Sequence, residues 1–486
     1  MEFLGPRRLT KPVTLDARAR AHSSRVVAVT FTLDGRPLGS DTTAPYQLDV
    51  DPALLPAGRH RLRVAAVDSL GRRASSRPTV ATIAPLHSAV MKVAPGEGFI
   101  GARDALRRGN VTVQLGPGRY EVRELELGSG ARLVGSGSRT VIAPTPGARY
   151  WALLVARGSR IRISDLTIDG GGGPAAHSSK EGGIAVAVFD GSRDVRLQRL
   201  HIRRVRTHGV NAWGAHVGVS VQDSVIDGDG TAQAGVFMLG SDRSRDTSVI
   251  RTRIRGFRSY GILLGQKEFG RRAAALHGVA LDNEISDIRD PARDACATDP
   301  RNATGCGTNE SGIWTGGVEA AIIGNTIRRA RWDGIETVGS STRTTIVGNV
   351  IRGTRTGIYL EHSTNHSLIS RNLIVDAGTG INVEWLHDGV GSSHNTFTFN
   401  RVVRAQSGLF LDVGSDGNRI VGNVFVSGAR PAITLQGSSD NLVRHNLGCR
   451  GPQTSLVGLA SARWDDGTEA HSRGNRLDEN RSVASC

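Results

Sequence analysis

Three acids close three copies of one short run: Gly357-Ile-Tyr-Leu-Glu361, Gly380-Ile-Asn-Val-Glu384 and Gly408-Leu-Phe-Leu-Asp412. Carboxyls brought together in pairs do acid, base or nucleophile work on a glycosidic bond. Three like charges side by side also raise at least one pKa unless a cation or an arginine neutralises them. Glu336, in Gly334-Ile-Glu336, is the reserve for a second carboxylate. Trp213, Trp314, Tyr359 and Phe410 offer flat apolar faces to pyranose rings, and the amides of Asn211 and Asn382 can bond hydroxyls. His362 and His387 follow Glu361 and Glu384 at the turn after the strand, within reach of the acids. Each residue also has a plainer use: exposed strand positions are often charged, aromatics often cover a surface, and a lone histidine is more often a turn residue.

What must position these residues is a repeat. Gly followed by an apolar residue recurs at Gly183, Gly209, Gly235, Gly261, Gly312, Gly334, Gly357, Gly380 and Gly408. In register with it runs Asn283, Asn325, Asn349, Asn372, Asn400, Asn423 and Asn446, a spacing that stacks asparagines at one corner, where the residue type also tolerates left-handed backbone. Each repeat reads as three short strands and three turns. The fold class expected is all-β: a right-handed parallel β-helix, a solenoid, preceded by a small antiparallel β-sandwich. With Ile358 and Leu360 in the core, alternation sends Tyr359 and Glu361 outward. The same phase in every coil gives two outward columns. One runs from Ala185 through Asn211, Phe237, Leu263, Trp314, Glu336, Tyr359, Asn382 and Phe410 to Thr434. The other runs from Ala187 through Trp213, Leu239, Gly265, Gly316, Val338, Glu361, Glu384 and Asp412 to Gln436.

Residues 12–84 alternate apolar and polar positions between tight turns. Their Asp34-Gly35, Ala44-Pro45-Tyr46 and Gly58-Arg-His60 segments resemble the immunoglobulin-like modules beside bacterial extracellular enzymes. Beyond them, Ala94-Pro-Gly-Glu-Gly98, an amphipathic stretch at 102–108 and Gly116-Pro-Gly-Arg-Tyr120 resemble the entry segment of pectate lyase superfamily β-helices. That likeness implies a glycan cleft on the strand face carrying the acids, but the superfamily includes lyases, hydrolases, epimerases and adhesins. The domains expected are 1–86, a β-sandwich serving as spacer, packing module or glycan binder, and 87–486, the β-helix with its cap. A solenoid depends on contacts between neighbouring coils, so residues 1–86 are expected to be removable.

The chain carries 61 Lys plus Arg against 45 Asp plus Glu, a formal +16 that favours a polyanionic partner such as an acidic glycan. The basic residues are scattered without a nucleic-acid-binding motif, and a coding bias toward arginine explains much of the excess. No membrane span and no signal peptide are legible, so a secreted or cell-surface location rests on the fold and on four cysteines, expected to pair as Cys296–Cys306 and Cys449–Cys486. Three functions follow. The first is a glycosidase using paired carboxylates without a cofactor. The second is a polysaccharide lyase on an acidic glycan, with Ca²⁺ held by the acidic column. The third is a non-catalytic surface glycan binder. Oligomeric state is left open.

Overall fold

The structure, a computed structural model, describes the chain apart from residues 85–89, 97, 174–181, 267–275, 291–309, 318, 340, 362, 385–390, 427–430, 450–454, 465–467 and 484–486. Among the described residues 38 strands join in one continuous sheet, each pairing in parallel with the strand three places on for most of its length. This is the right-handed parallel β-helix expected from the repeat. Its interior is a single apolar core from Val93 to Leu456. The helix Gly98–Arg108 closes the N-terminal end, burying Ala102 and Leu106, with Phe99 edge-on to Tyr120 at 5.0 Å between centroids.

The repeated glycine is set by close approach. A Cβ on Gly334 would lie 2.4 Å from Ile351 Cγ2 and 2.5 Å from the carbonyl oxygen of Gly357 on the next coil, so no larger residue fits. The asparagines stack as the spacing implies. Asn283, Asn325, Asn349, Asn372, Asn400, Asn423 and Asn446 each donate from Nδ2 to Oδ1 of the next at 2.9–3.0 Å, and the ladder runs on to Asn480. The left-handed residue is, however, the one before each asparagine, as at Arg371, Phe399 and His445. A second ladder, Asn395, Asn418, Asn441 and Asn475, runs at another corner.

Arginine bridges coils in the same way. Bidentate pairs Arg199–Asp165, Arg204–Asp169, Arg251–Asp223, Arg329–Asp287 and Arg404–Asp376 each join one coil to the next, so much of the positive charge is spent inside the scaffold.

The N-terminal module is a sandwich of a three-stranded and a six-stranded sheet, ending with the strand Thr79–Ile83. It lies along the flank of the β-helix. Val27, Ala28 and Val67 pack on the outward-facing Ile250, Leu281, Ile323 and Val347 of four successive coils. Lower down, the same flank presents Arg132, Arg162 and Arg196, stacked coil on coil, to Asp51, Asp49 and the Gln47 carbonyl. Between these, Gln222 exchanges hydrogen bonds of 2.8 and 2.9 Å with the backbone of Ser40, and Arg73 forks onto Asp282 at 2.6 and 2.9 Å. A cavity of about 710 Å³ remains at the lower end of this seam, away from the acids. The module is thus packed against the flank by both apolar and polar contacts.

Candidate active site

Strand pairing fixes the two outward columns. Leu263 lies beside Trp314, Trp314 beside Glu336, Glu336 beside Tyr359, Tyr359 beside Asn382 and Asn382 beside Phe410. The first column is therefore as read from the sequence, except that Ala187, not Ala185, stands beside Asn211. In the second, Trp213 pairs with Leu239 and Gly316 with Val338, and the amides of Glu361, Glu384 and Asp412 continue the ladder one residue past their strands.

Five acids then share one patch of this face. Glu336, expected on an open surface, is only 1 % exposed; the Ser311 hydroxyl donates to its Oε2, and Glu361 on the next coil shares a hydrogen bond with it. Two carboxyls hydrogen-bonded to each other hold a proton between them. Burial first, then the charges of Asp333 and Glu384, push Glu361 up to about 7. Burial and Asp333 hold Glu336 well above the ordinary carboxyl range. Glu384 Oε2 accepts the Tyr359 hydroxyl at 2.7 Å and the Asn382 amide at 3.2 Å. Burial, followed by its neighbours' charges, keeps the Tyr359 phenol protonated. Asp412, one coil beyond Glu384, is raised mainly by burial.

The fifth acid, Asp333, escapes sequence reading. Counting back by twos from the buried Ile335 places it inside, but two consecutive residues, Gly334 and Ile335, face the core, and the kink returns Asp333 to the outer face. It bonds Thr356, and burial raises it to about 7. The signal in the sequence is a polar residue before the glycine in coil after coil: Ser311, Asp333, Thr356, Thr379 and Ser407. Arg355, stacked 4.0 Å over the Trp332 ring, borders the patch and is the cation that Asp333 feels.

The remaining candidates divide. Trp314 touches the patch but is 5 % exposed. Asn211 is buried against His208, which burial pulls down to about 3, and Trp213 stands five coils from Glu361; neither reaches the acids. Phe410 is half-buried beside Asn382. His362 and His387 lie outside the described residues, as do Cys296, Cys306 and Cys486; Cys449 is buried, paired in register with Val483 of the following coil.

Residues 245–442 match the family described as periplasmic copper-binding protein (NosD), and residues 7–64 match a bacterial Ig domain. No curated protein sequence is recognisably similar. Among solved structures, the chain is similar to a family 87 α-1,3-glucanase catalytic unit from Streptomyces thermodiastaticus, with 14 % identity over 95 % of this chain and 86 % of that one and a TM-score of 0.48. A family 28 exopolygalacturonase of Yersinia enterocolitica is 12 % identical over 99 % of both chains, with a TM-score of 0.43. PfbA, a surface adhesin of Streptococcus pneumoniae, is 13 % identical over 77 % of this chain and 95 % of that one, with a TM-score of 0.40. Likeness at this level carries nothing about what this chain acts on. Among the described residues no three His, Cys, Asp or Glu side chains converge to hold a metal ion.

Proposed function

We propose that this chain is a secreted glycoside hydrolase acting on a polysaccharide, with Glu361 as general acid and Glu384 as its partner carboxylate. The observation that carries the reading is the contrast between the two acids. Glu361 shares a proton with Glu336 and is held near neutrality, as a proton donor to a leaving oxygen requires. Glu384, one coil on, receives two donors on a single oxygen, the Tyr359 hydroxyl and the Asn382 amide. Adjacent strands lie roughly 4.8 Å apart. That spacing suits the shorter carboxyl separation, about 5–5.5 Å, at which the second acid attacks the anomeric carbon and configuration is retained. Tyr359 and Asn382 orient the attacking oxygen, and Asp333 and Glu336 hold the proton reserve behind Glu361.

A lyase needs a base and a cation to acidify the proton beside an uronate carboxylate. The outward columns carry neither Lys nor Arg, Arg355 at the border of the patch is stacked on Trp332, and among the described residues no set of ligands converges for Ca²⁺, so the hydrolase reading draws the firmer support. The test is release of reducing ends from a glycan panel, with absorbance of unsaturated uronates followed in parallel. Glu361→Gln and Glu384→Gln are each expected to reduce turnover by orders of magnitude at unchanged melting temperature, and chelator to leave the rate unchanged. Full activity in both variants disposes of the assignment, and unsaturated products replace it with a lyase.

A further inference from the structure

The outer face that carries the acids continues toward the N-terminus for several coils, and there its character changes. Next to Val338 and Trp314 come Tyr260, Leu239 and Phe237, packed as one apolar cluster, then Trp213, Phe189 and Trp151 as a second. The two are joined where Trp213 pairs in register with Leu239. The rings follow one another along the helix axis: Tyr260 to Trp314 at 6.4 Å, Phe237 to Tyr260 at 6.3 Å, and Trp151 to Trp213 at 5.2 Å between centroids. Trp151, Phe189, Trp213, Phe237 and Tyr260 remain half-exposed, so the apolar surface is not sealed into the molecule. On the other side of the acids the face is polar: Thr434 and Gln436 continue the columns, and no ring follows Phe410 in them.

The second observation concerns charge. In a chain with a formal +16, neither outward column, nor the column of residues preceding the glycines, contains a single lysine or arginine. One cation reaches this face from beside the columns, Arg157, whose guanidinium lies 3.4 Å over the Phe189 ring and is paired with Glu126 at 2.8 Å. Elsewhere an anionic polymer laid here would meet carboxylates at one end and apolar rings along the rest, with no counter-charge in the columns to offset its desolvation. An uncharged pyranose chain meets what it needs: flat C–H faces stack on rings, and each coil advances roughly 4.8 Å, close to the advance per sugar of an extended glycan.

We infer that the strand face from Trp151 to Trp314 is a one-sided binding track for a neutral, extended polysaccharide running along the helix axis into the acidic patch. This rests on the hydrolase reading for the chemistry at the end of the track, but not for the binding. Most of the bound chain lies on the N-terminal side of the acids, and Trp213, roughly 24 Å from Glu361 at five strand spacings, sets affinity without touching the reaction.

The experiment measures binding separately from cleavage, with the full chain carrying Glu361→Gln. Native electrophoresis through gels containing a neutral β-glucan, an α-glucan, polygalacturonate or alginate is expected to show retardation by a neutral polymer that Trp213→Ala abolishes, whereas retardation by the uronates reports the +16 of the whole surface and is unchanged in that variant. In titrations with neutral oligosaccharides, Trp213→Ala is expected to weaken a long oligomer by about tenfold or more and to leave a trisaccharide unchanged. Trp213→Phe should restore most of the loss. If Trp213→Ala fails to fold, Trp151→Ala, judged at unchanged melting temperature, takes its place. Uronate retardation that depends on Trp213, no retardation by any neutral glycan, or long-oligomer affinity indifferent to both variants overturns the track. Neutral-glycan binding that depends on Trp213, in a wild type that releases no reducing ends, removes the hydrolase assignment and leaves the track standing.

Discussion

Between roughly pH 4 and 7 the unfolded chain gives up protons that Asp333, Glu336 and Glu361 keep in the fold, because burial and mutual repulsion hold all three above their ordinary values of 3.8 and 4.5, and two of them at about 7. Below pH 4 both states are protonated and the site costs nothing. As pH rises through that window the unfolded state gains alone, so stability must fall. The melting temperature is expected to decrease from pH 4 to pH 7.5, and Glu336→Gln to flatten that slope while raising the value at pH 7.5. A slope identical in the variant would show that Glu336 carries no share of the strain. Activity should fall above about pH 7, where Glu361 loses its proton. The positions of Glu336, Tyr359 and Asn382 were legible in the sequence because Gly followed by an apolar residue marks the pleat. Asp333 was not, because alternation fails across the kink at Gly334. The burial of Glu336 was illegible too, since it comes from packing between coils, where the Ser311 hydroxyl of the coil before meets its carboxylate.

Among the elements, one position per coil is reserved for close packing and another for the amide ladder. Gly334→Ala forces a methyl against Ile351 and the Gly357 carbonyl, and is expected to cost about 1–3 kcal/mol as overpacking. Asn349→Ala strands the Asn325 backbone amide and the Ile322 carbonyl, while Asn372 Oδ1 keeps the backbone N–H of residue 349; each buried polar group left unpaired costs about 1–3 kcal/mol. Urea denaturation checks both, and a change under 0.5 kcal/mol, roughly the scatter of surface substitutions, would be too small for either mechanism. The first ladder was visible as spacing. The second, Asn395 to Asn475, was hidden because it starts late and is broken upstream by Thr344 and Ser367. The coil count was accessible from repeats, whereas the flank that receives the module was not: Ile250, Leu281, Ile323 and Val347 read as ordinary strand residues until a second domain covers them.

At the scale of the molecule, the module and the β-helix share an apolar seam, so a chain beginning near Leu86 would expose Ile250, Leu281 and Ile323 in a row. Such a chain is expected to melt lower and to aggregate, as followed by calorimetry and light scattering; a monodisperse product with unchanged melting would show that the seam contributes little. Peptide mapping is expected to find Cys296–Cys306 and Cys449–Cys486, the second tying the C-terminal tail to the last coil. That end needs a fastening, because Leu459 and Leu477 are 53 % and 43 % exposed where the stack stops. The reach of the seam also decides the order in which the molecule would come apart. Its apolar contacts extend to Val347 and Leu368, so the coils of Trp213 and Asp333 are braced, while those of Glu384 and Asp412 hang beyond the brace. Under heat, mild denaturant or a pull along the axis, unravelling should start at the open end and reach the partner carboxylate long before the aromatic rings. Under the proposed function, a partly unwound molecule would still hold a glycan and would no longer cut it, passing by stages from hydrolase to lectin.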